Sequence, residues 1–326
     1  MTNIKTTIDA KAAFTLSSHG IRPEKLAQDL GRDMPGALSM EVTSPRDGAV
    51  ETLLEAKTPS GEMLYDWKVN FDLATKTGAI KNFSIYHAAN KGLSIGTAAI
   101  RNLLRAGHEN GDNPAIDKIK LTAELERGAW VWARMGWLPD ETSFRRFQKK
   151  VQPKLEALEQ VLPSVERLGF EAYAMMHTLL DHNVSKKPAL IWPLVDSNLS
   201  YNINAIEELQ QIVRHPRDDE RLDLLRGYLQ QNRPDQEHID AAALGKLDKT
   251  LRFLRDLDLS GMARDGRINT SLLLFSWEQW EGSLSFDNPD QMNRLNNHMS
   301  RFEAKKPAAQ NIFIPDKHHS GYGVQS

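Results

Sequence analysis

The sequence predicts an α+β fold: a mixed, largely antiparallel sheet with flanking helices, followed by a mostly α-helical second domain. Three observations carry this. Between Ala37 and Tyr86, apolar and polar residues alternate between clusters of turn-forming residues, the two-residue period of half-buried strands. From Ala98 the period lengthens to helical spacing, and one further strand-like segment, Ile116–Ala123, intervenes. After Pro139 the chain reads as charged, amphipathic helices. These changes divide it into a first domain over 1–145, a helical domain over 146–302 and a tail over 303–326.

The elements follow in order. Pro23–Leu30 is a short helix, with proline at its first position and Gly31 just past its end. Ala37–Thr43 is the first strand, closed by the turn residues Ser44 to Gly48, and Val50–Lys57 is the second. Glu62–Leu73 is the third, where Trp67, Val69 and Phe71 alternate with Lys68, Asn70 and Asp72. Ala74 to Gly78 is a hairpin loop whose glycine suits a left-handed position. Ala79–Tyr86 is the fourth strand, with Ile80, Phe83 and Ile85 as its apolar members. Ala98–Ala106 is a helix stopped by Gly107, Ile116–Ala123 the fifth strand, and Arg127–Met135 a short helix closed by Gly136. Beyond Pro139 the spacing predicts helices over Phe144–Leu162 (broken near Pro153), Pro163–His182, Ser197–Arg214, Asp218–Gln231, Gln236–Leu259 and Pro289–Phe302. Ser271–Trp280 is apolar without a clear period.

Composition excludes several classes of function. The chain has 326 residues, 40% hydrophobic and 26% charged, as in a globular protein that buries its own core. Its 41 basic and 43 acidic residues give a net charge of −2, which argues against a nucleic-acid partner. It has no cysteine, so disulfides, thiolate metal sites and a cysteine nucleophile are ruled out. Met1–Gly20 has no apolar core of a secretory signal, and no stretch approaches the ~18 apolar residues of a membrane span. The expectation is a cytoplasmic protein with no membrane partner.

One region points to a chemistry. Lys91, Gly92, Leu93, Ser94, Ile95, Gly96 and Thr97 run from the fourth strand into the Ala98 helix. Free backbone N–H groups and the dipole at a helix start bind phosphate, and glycines let the anion approach. Lys91 adds positive charge. An ordinary tight turn is the alternative. Downstream, Gly128, Ala129, Trp130, Val131, Trp132, Ala133, Arg134, Met135, Gly136 and Trp137 form an aromatic-rich segment after the fifth strand.

This arrangement resembles the GNAT-like acyl-CoA N-acyltransferases. Their cofactor loop has the form Gln/Arg-x-x-Gly-x-Gly/Ala, matched here by Lys91 and Gly96, with Ser94 at the central glycine. Their next helix carries Ala-x-x-x-Tyr-x-x-x-Gly-Phe, matched here by Gly128 to Trp137 with Trp132 at the tyrosine position. The resemblance covers Ala37–Asp140. It implies acetyl-CoA or another acyl-CoA as cofactor, its pyrophosphate on Gly92–Thr97 with Lys91 and Trp132 beside it, and its thioester in a gap between the fourth and fifth strands. An amine then attacks the thioester, and a backbone N–H of the fourth strand holds the oxyanion. Many members protonate the leaving thiolate with the tyrosine that Trp132 replaces. An indole N–H is no acid near neutral pH, which leaves Tyr86 as the candidate. Glu124, at the end of the fifth strand, is the candidate general base, or else a charge at a helix N-terminus; Glu126 is a weaker one.

The function these readings imply is acyl transfer to an amine, with a protein partner engaged through the helical domain. The alternative is a non-catalytic binding, scaffold or effector protein on a degenerate acyltransferase fold, which Ser94 and Trp132 favour. No metal is expected: His177 and His182 are five residues apart and no zinc-protease pattern is present.

Overall fold

A computed structural model describes residues 4–86, 95–107, 116–123, 128–162, 167–181, 187–233 and 239–303. The protein is α+β, with a large mixed sheet and twelve α-helices among the described residues. It divides into two compact units, one formed by the described parts of Met1–Leu121 and Leu284–Ser326, the other by those of Thr122–Ser283.

The first unit runs β1 (Ile4–Ile8), α1 (Ala10–Ser18), α2 (Pro23–Leu30), β2 (Ala37–Arg46), β3 (Ala49–Lys57), β4 (Met63–Asp72), β5 (Thr77–Ile85), α3 (Ile95–Gly107) and most of β6 (Lys118–Ala123), whose last two residues fall in the second unit. The strands lie side by side in chain order. β2 to β5 form an antiparallel meander, while β1 pairs parallel with β2 and β5 parallel with β6. The alternation in β4 works as its period dictates: Tyr65, Trp67, Val69 and Phe71 are buried, and Asp66, Lys68 and Asn70 stand on the other face.

Helices are tied to this sheet by specific bonds. Asp9 caps α1, accepting from Ala12 N at 2.6 Å, and its other oxygen accepts from Ser44 N at 2.9 Å on β2. Asn102 of α3 donates to Leu30 O and Arg32 O at 3.1 and 2.6 Å, satisfying carbonyls at the end of α2. Tyr65 donates its hydroxyl proton to Pro35 O at 2.7 Å. The chain returns at Leu284, where Phe286 N donates to Asp117 O at 3.0 Å, and continues into α12 (Pro289–Glu303), whose Leu295 is fully buried.

The hairpin between β4 and β5 corrects one expectation. The left-handed residue is Lys76, at φ 48°, and Gly78 lies within β5. A Cβ on Gly78 would meet Ile116 Cδ1 at 3.1 Å, so this glycine serves close packing and the loop places its turn two residues earlier.

In the second unit, α4 (Gly128–Arg134) and β7 (Leu138–Pro139) precede the long α5 (Glu141–Val161). Asp140 caps α5, accepting from Ser143 N at 2.7 Å. The helix is continuous through Pro153, contrary to the expected break. Pro153 is exposed, so water can satisfy the carbonyl that its missing N–H leaves free. Phe144, Phe147, Val151, Leu155 and Leu158 line the buried side of α5, and Phe147 meets Phe275 with ring centroids 4.6 Å apart.

α6 (Arg167–Leu180), α7 (Ile191–Val195), α8 (Ile203–Arg214), α9 (Asp218–Asn232), α10 (Ala241–Leu251) and α11 (Thr270–Phe275) complete the helices of this unit. The helix expected from Ser197 begins only at Ile203, because Ser200–Asn202 is β8, paired with β10 (Arg267–Asn269), which also pairs with β9 (Ala263–Arg264). Asn202 ends the strand and caps α8, accepting from Asn204 N at 2.9 Å. The apolar Ser271–Trp280 segment resolves into α11, a turn at Trp277 (φ 60°), and the start of β11 (Trp280–Ser285), which pairs antiparallel with β7. Among the described residues no helix is long and apolar enough to cross a membrane.

Candidate functional site

β5 changes face in mid-strand. Val69 of β4 faces Ile80, while its neighbour Lys68 faces Asn82, so Lys81 has no residue opposite it on β4. This is a β-bulge, and a bulge adds twist and re-aims the side chains beyond it. Before the bulge Ile80 shares the face of Val69; after it Phe83 shares the face of Trp67, and the two rings meet edge-on at 6.2 Å. Asn82, Ser84 and Tyr86 are thereby turned to the polar face, beside Asp66 and Lys68.

The parallel pairing of β5 with β6 ends at the same place. It runs Thr77–Lys118, Gly78–Ile119, Ala79–Lys120 and Ile80–Leu121 and stops, although β6 continues to Ala123 and β5 to Ile85. The last pair falls immediately before the bulged residue Lys81.

On the polar face beyond the bulge the side chains form a chain of hydrogen bonds. Ser84 Oγ donates to Asn82 Oδ1 at 3.2 Å, Asn82 Nδ2 donates to Asp66 Oδ1 at 2.6 Å, and Tyr86 donates its hydroxyl proton to Asp66 Oδ2. Tyr86 N donates to Leu64 O at 3.0 Å, fixing the backbone at the end of β5. The Tyr86 ring is 54% exposed. Its bond to the Asp66 carboxylate holds its pKa above the ordinary phenol value, with desolvation and the charges of Asp66 and Glu55 adding to the shift and a hydrogen bond from Ser84 opposing it. At neutral pH it keeps its proton, and that proton is already engaged.

Ile95, Gly96 and Thr97 form the first turn of α3, with Ile95 and Thr97 buried. A Cβ on Gly96 would meet the Phe83 ring at 3.5 Å, so α3 begins over the apolar face of β5 just past the bulge. Lys91, Gly92, Leu93, Ser94, Glu124 and Glu126 lie outside the described residues.

Trp132 is half-buried on α4 and meets Trp137 edge-on, with centroids 5.1 Å apart. Trp130 Nε1 donates to Ser271 Oγ at 3.0 Å, and the Arg134 guanidinium lies over the Trp130 ring at 4.7 Å. The aromatic segment thus packs within its own unit, with Arg134 stacked on an indole. His177 Nε2 lies 3.0 Å from Glu159 Oε2, and His182 is outside the described residues. No group of three or more potential metal ligands occurs among the described residues.

Asp66, Asn82 and Ser84 were not singled out in the sequence. One signal was available. The apolar residues of β5 fall at 80, 83 and 85, and the step of three in a strand of period two marks a bulge. Comparison with known proteins adds no relative: no protein-family model, no curated protein and no solved structure matches this chain.

Proposed function

We propose that this chain is an acyl-CoA-dependent N-acyltransferase of GNAT-like fold, transferring an acyl group, acetyl in the simplest case, to an amine. The observation that carries the reading is that the parallel pairing of β5 with β6 ends at Ile80 and Leu121, next to the Lys81 bulge. In acyltransferases of this kind the thioester arm enters where two parallel strands cease to pair, and the reading assigns it that position here. The reading assigns the oxyanion to a main-chain N–H of β5 beyond Ile80, and the pyrophosphate to Lys91–Thr97 with the start of α3. Glu124 is the general base in this scheme, and the helical part of the chain selects a protein partner or substrate.

A second reading has its own support. Trp132 replaces the tyrosine that protonates the thiolate in many members, and its ring is engaged with Trp137. Under this reading the chain binds without turnover, as a scaffold.

Thermal unfolding with acetyl-CoA separates these. Ligand at about 100 times its Kd stabilises the native state by about 2.7 kcal/mol, so the melting temperature rises, and Gly96→Trp abolishes the rise. No rise at millimolar acetyl-CoA overturns cofactor binding. A rise without thiol release on any of a panel of amines selects the scaffold reading.

A further inference from the structure

We propose that the outer edge of β1 is the interface of a homodimer, in which β1 of one copy adds antiparallel to β1 of a second about a two-fold axis at Thr6. The inference stands apart from the acyl-transfer reading.

β1 ends the sheet, with β2 on one side of it and no strand on the other among the described residues. The register shows which backbone groups face that open side. Ile8 lies opposite Val42, and Asp9 N donates to Val42 O at 3.0 Å. Successive residues of a strand turn their N–H and C=O to opposite edges. Asp9, Thr7 and Lys5 therefore point their backbone groups at β2, and Ile4, Thr6 and Ile8 point theirs outward. The Ile4 carbonyl receives the Thr6 hydroxyl at 3.4 Å, well beyond the ~2.7 Å of a good O–H···O bond. A row of such groups is a template for another strand.

The strand that fits is a second β1. Its sequence, Ile4-Lys5-Thr6-Thr7-Ile8, repeats its own pattern when reversed. With Thr6 opposite Thr6 of the second copy, Ile4 falls opposite Ile8 and Lys5 opposite Thr7. The outward groups of Ile4, Thr6 and Ile8 then all meet outward groups, as an antiparallel ladder requires. The neighbouring registers are worse. One slip sets Lys5 against Lys5 and leaves Ile8 without a partner, and the opposite slip leaves Ile4 without one. Like charges facing across strands destabilise a pair. Lysine on an edge strand ordinarily guards against pairing. Here it selects the register instead.

The side chains agree with this placement. Ile4, Thr6 and Ile8 are half-buried on one face, while Lys5 and Thr7 are exposed on the other. Ile4 lies against the end of α2, where a Cβ on Gly31 would meet its Cδ1 at 2.2 Å. Pairing gives each half-buried isoleucine an isoleucine neighbour across the seam and leaves both lysines in water. The contact is isologous, so it closes at two copies and does not propagate into a fibre.

Sedimentation equilibrium of the full chain, up to millimolar concentration, tests the proposal. The wild type shows a monomer–dimer equilibrium. Thr7→Glu sets a carboxylate opposite each Lys5 and lowers the dissociation constant about fivefold, on the scale of cross-strand charge pairs. Adding Lys5→Glu makes both pairs repulsive and raises the constant about fivefold above wild type. Glu41, opposite Thr7 on β2, is common to both variants and cancels between them. Thr6→Pro removes the outward N–H at the axis without removing a bond to β2, and raises the constant at least about tenfold. Circular dichroism confirms that each variant folds. A wild type that stays monomeric overturns the inference. So does a dimer that the Thr7→Glu and double variants move alike or not at all, since another surface then forms it. Dimers that appear only once residues 304–326 are removed assign the edge to the chain's own tail and also overturn it.

Discussion

Arg221 Nε lies 2.6 Å from Asp248 Oδ1, and the two side chains are only 5% and 4% exposed. The guanidinium also donates to Asp218 Oδ1 at 2.6 Å and to His215 O at 2.9 Å. It thus joins α9 to α10 and holds the turn before α9. Removing one partner of such a pair leaves a buried charge uncompensated. Asp248→Ala is expected to cost about 3–5 kcal/mol, read by urea unfolding. The double variant Arg221→Met with Asp248→Leu recovers much of this loss. A single variant within 1 kcal/mol of wild type would show that water reaches the pair.

Trp277 follows the C-cap residue of α11 with φ 60° and is 56% exposed. A left-handed backbone costs a bulky L-residue roughly 1–2 kcal/mol, and this ring regains little by burial. Trp277→Gly is expected to stabilise the protein by ~1 kcal/mol, with a rise in melting temperature by calorimetry. A fall would mean that the indole contributes packing its exposure hides.

Gly282 shows the opposite constraint. In β11 opposite Pro139, a Cβ there would meet Leu138 O at 2.2 Å and Trp280 Cζ3 at 2.6 Å. Neither a backbone carbonyl nor a buried indole yields easily. Gly282→Ala is expected to destabilise by about 1–3 kcal/mol, measured by chemical denaturation. Unchanged stability would show that the β7–β11 pair is readily displaced.

Asp9 has its pKa lowered from 3.8, chiefly by hydrogen bonds from the backbone of Ala12 and Ser44. Its folded value is below its unfolded one. Its contribution is therefore complete above 3.8 and is lost as pH falls through the lower folded value. Asparagine can keep the cap without titrating. Asp9→Asn should flatten the acid limb of the stability curve below pH 4, followed by circular dichroism, and leave the neutral region close to wild type. An acid limb identical to wild type would remove Asp9 from the acid transition.

Local chemistry made some elements legible. Pro23 and Gly31 bracket α2, and the alternation around Trp67 marks β4. Where the deciding partner is distant in sequence, local reading fails. Gly78 looks like a turn residue until Ile116 is seen against it, and Pro153 looks like a break until its exposure is known. β1 and α1 went unread because five residues, Ile4–Ile8, give too short an alternation to stand out. At the candidate site, Tyr86 could be named as a strand-end residue. Its hydrogen bond involves Asp66, twenty residues earlier across a hairpin, and the bulge that puts the two on one face.

The chain leaves the first unit at Leu121, builds the second, and returns at Leu284 to add α12. On a translating ribosome the last residues of the first unit therefore emerge after the whole of Thr122–Ser283, so α12 can join the N-terminal strands only once the second unit has been synthesised.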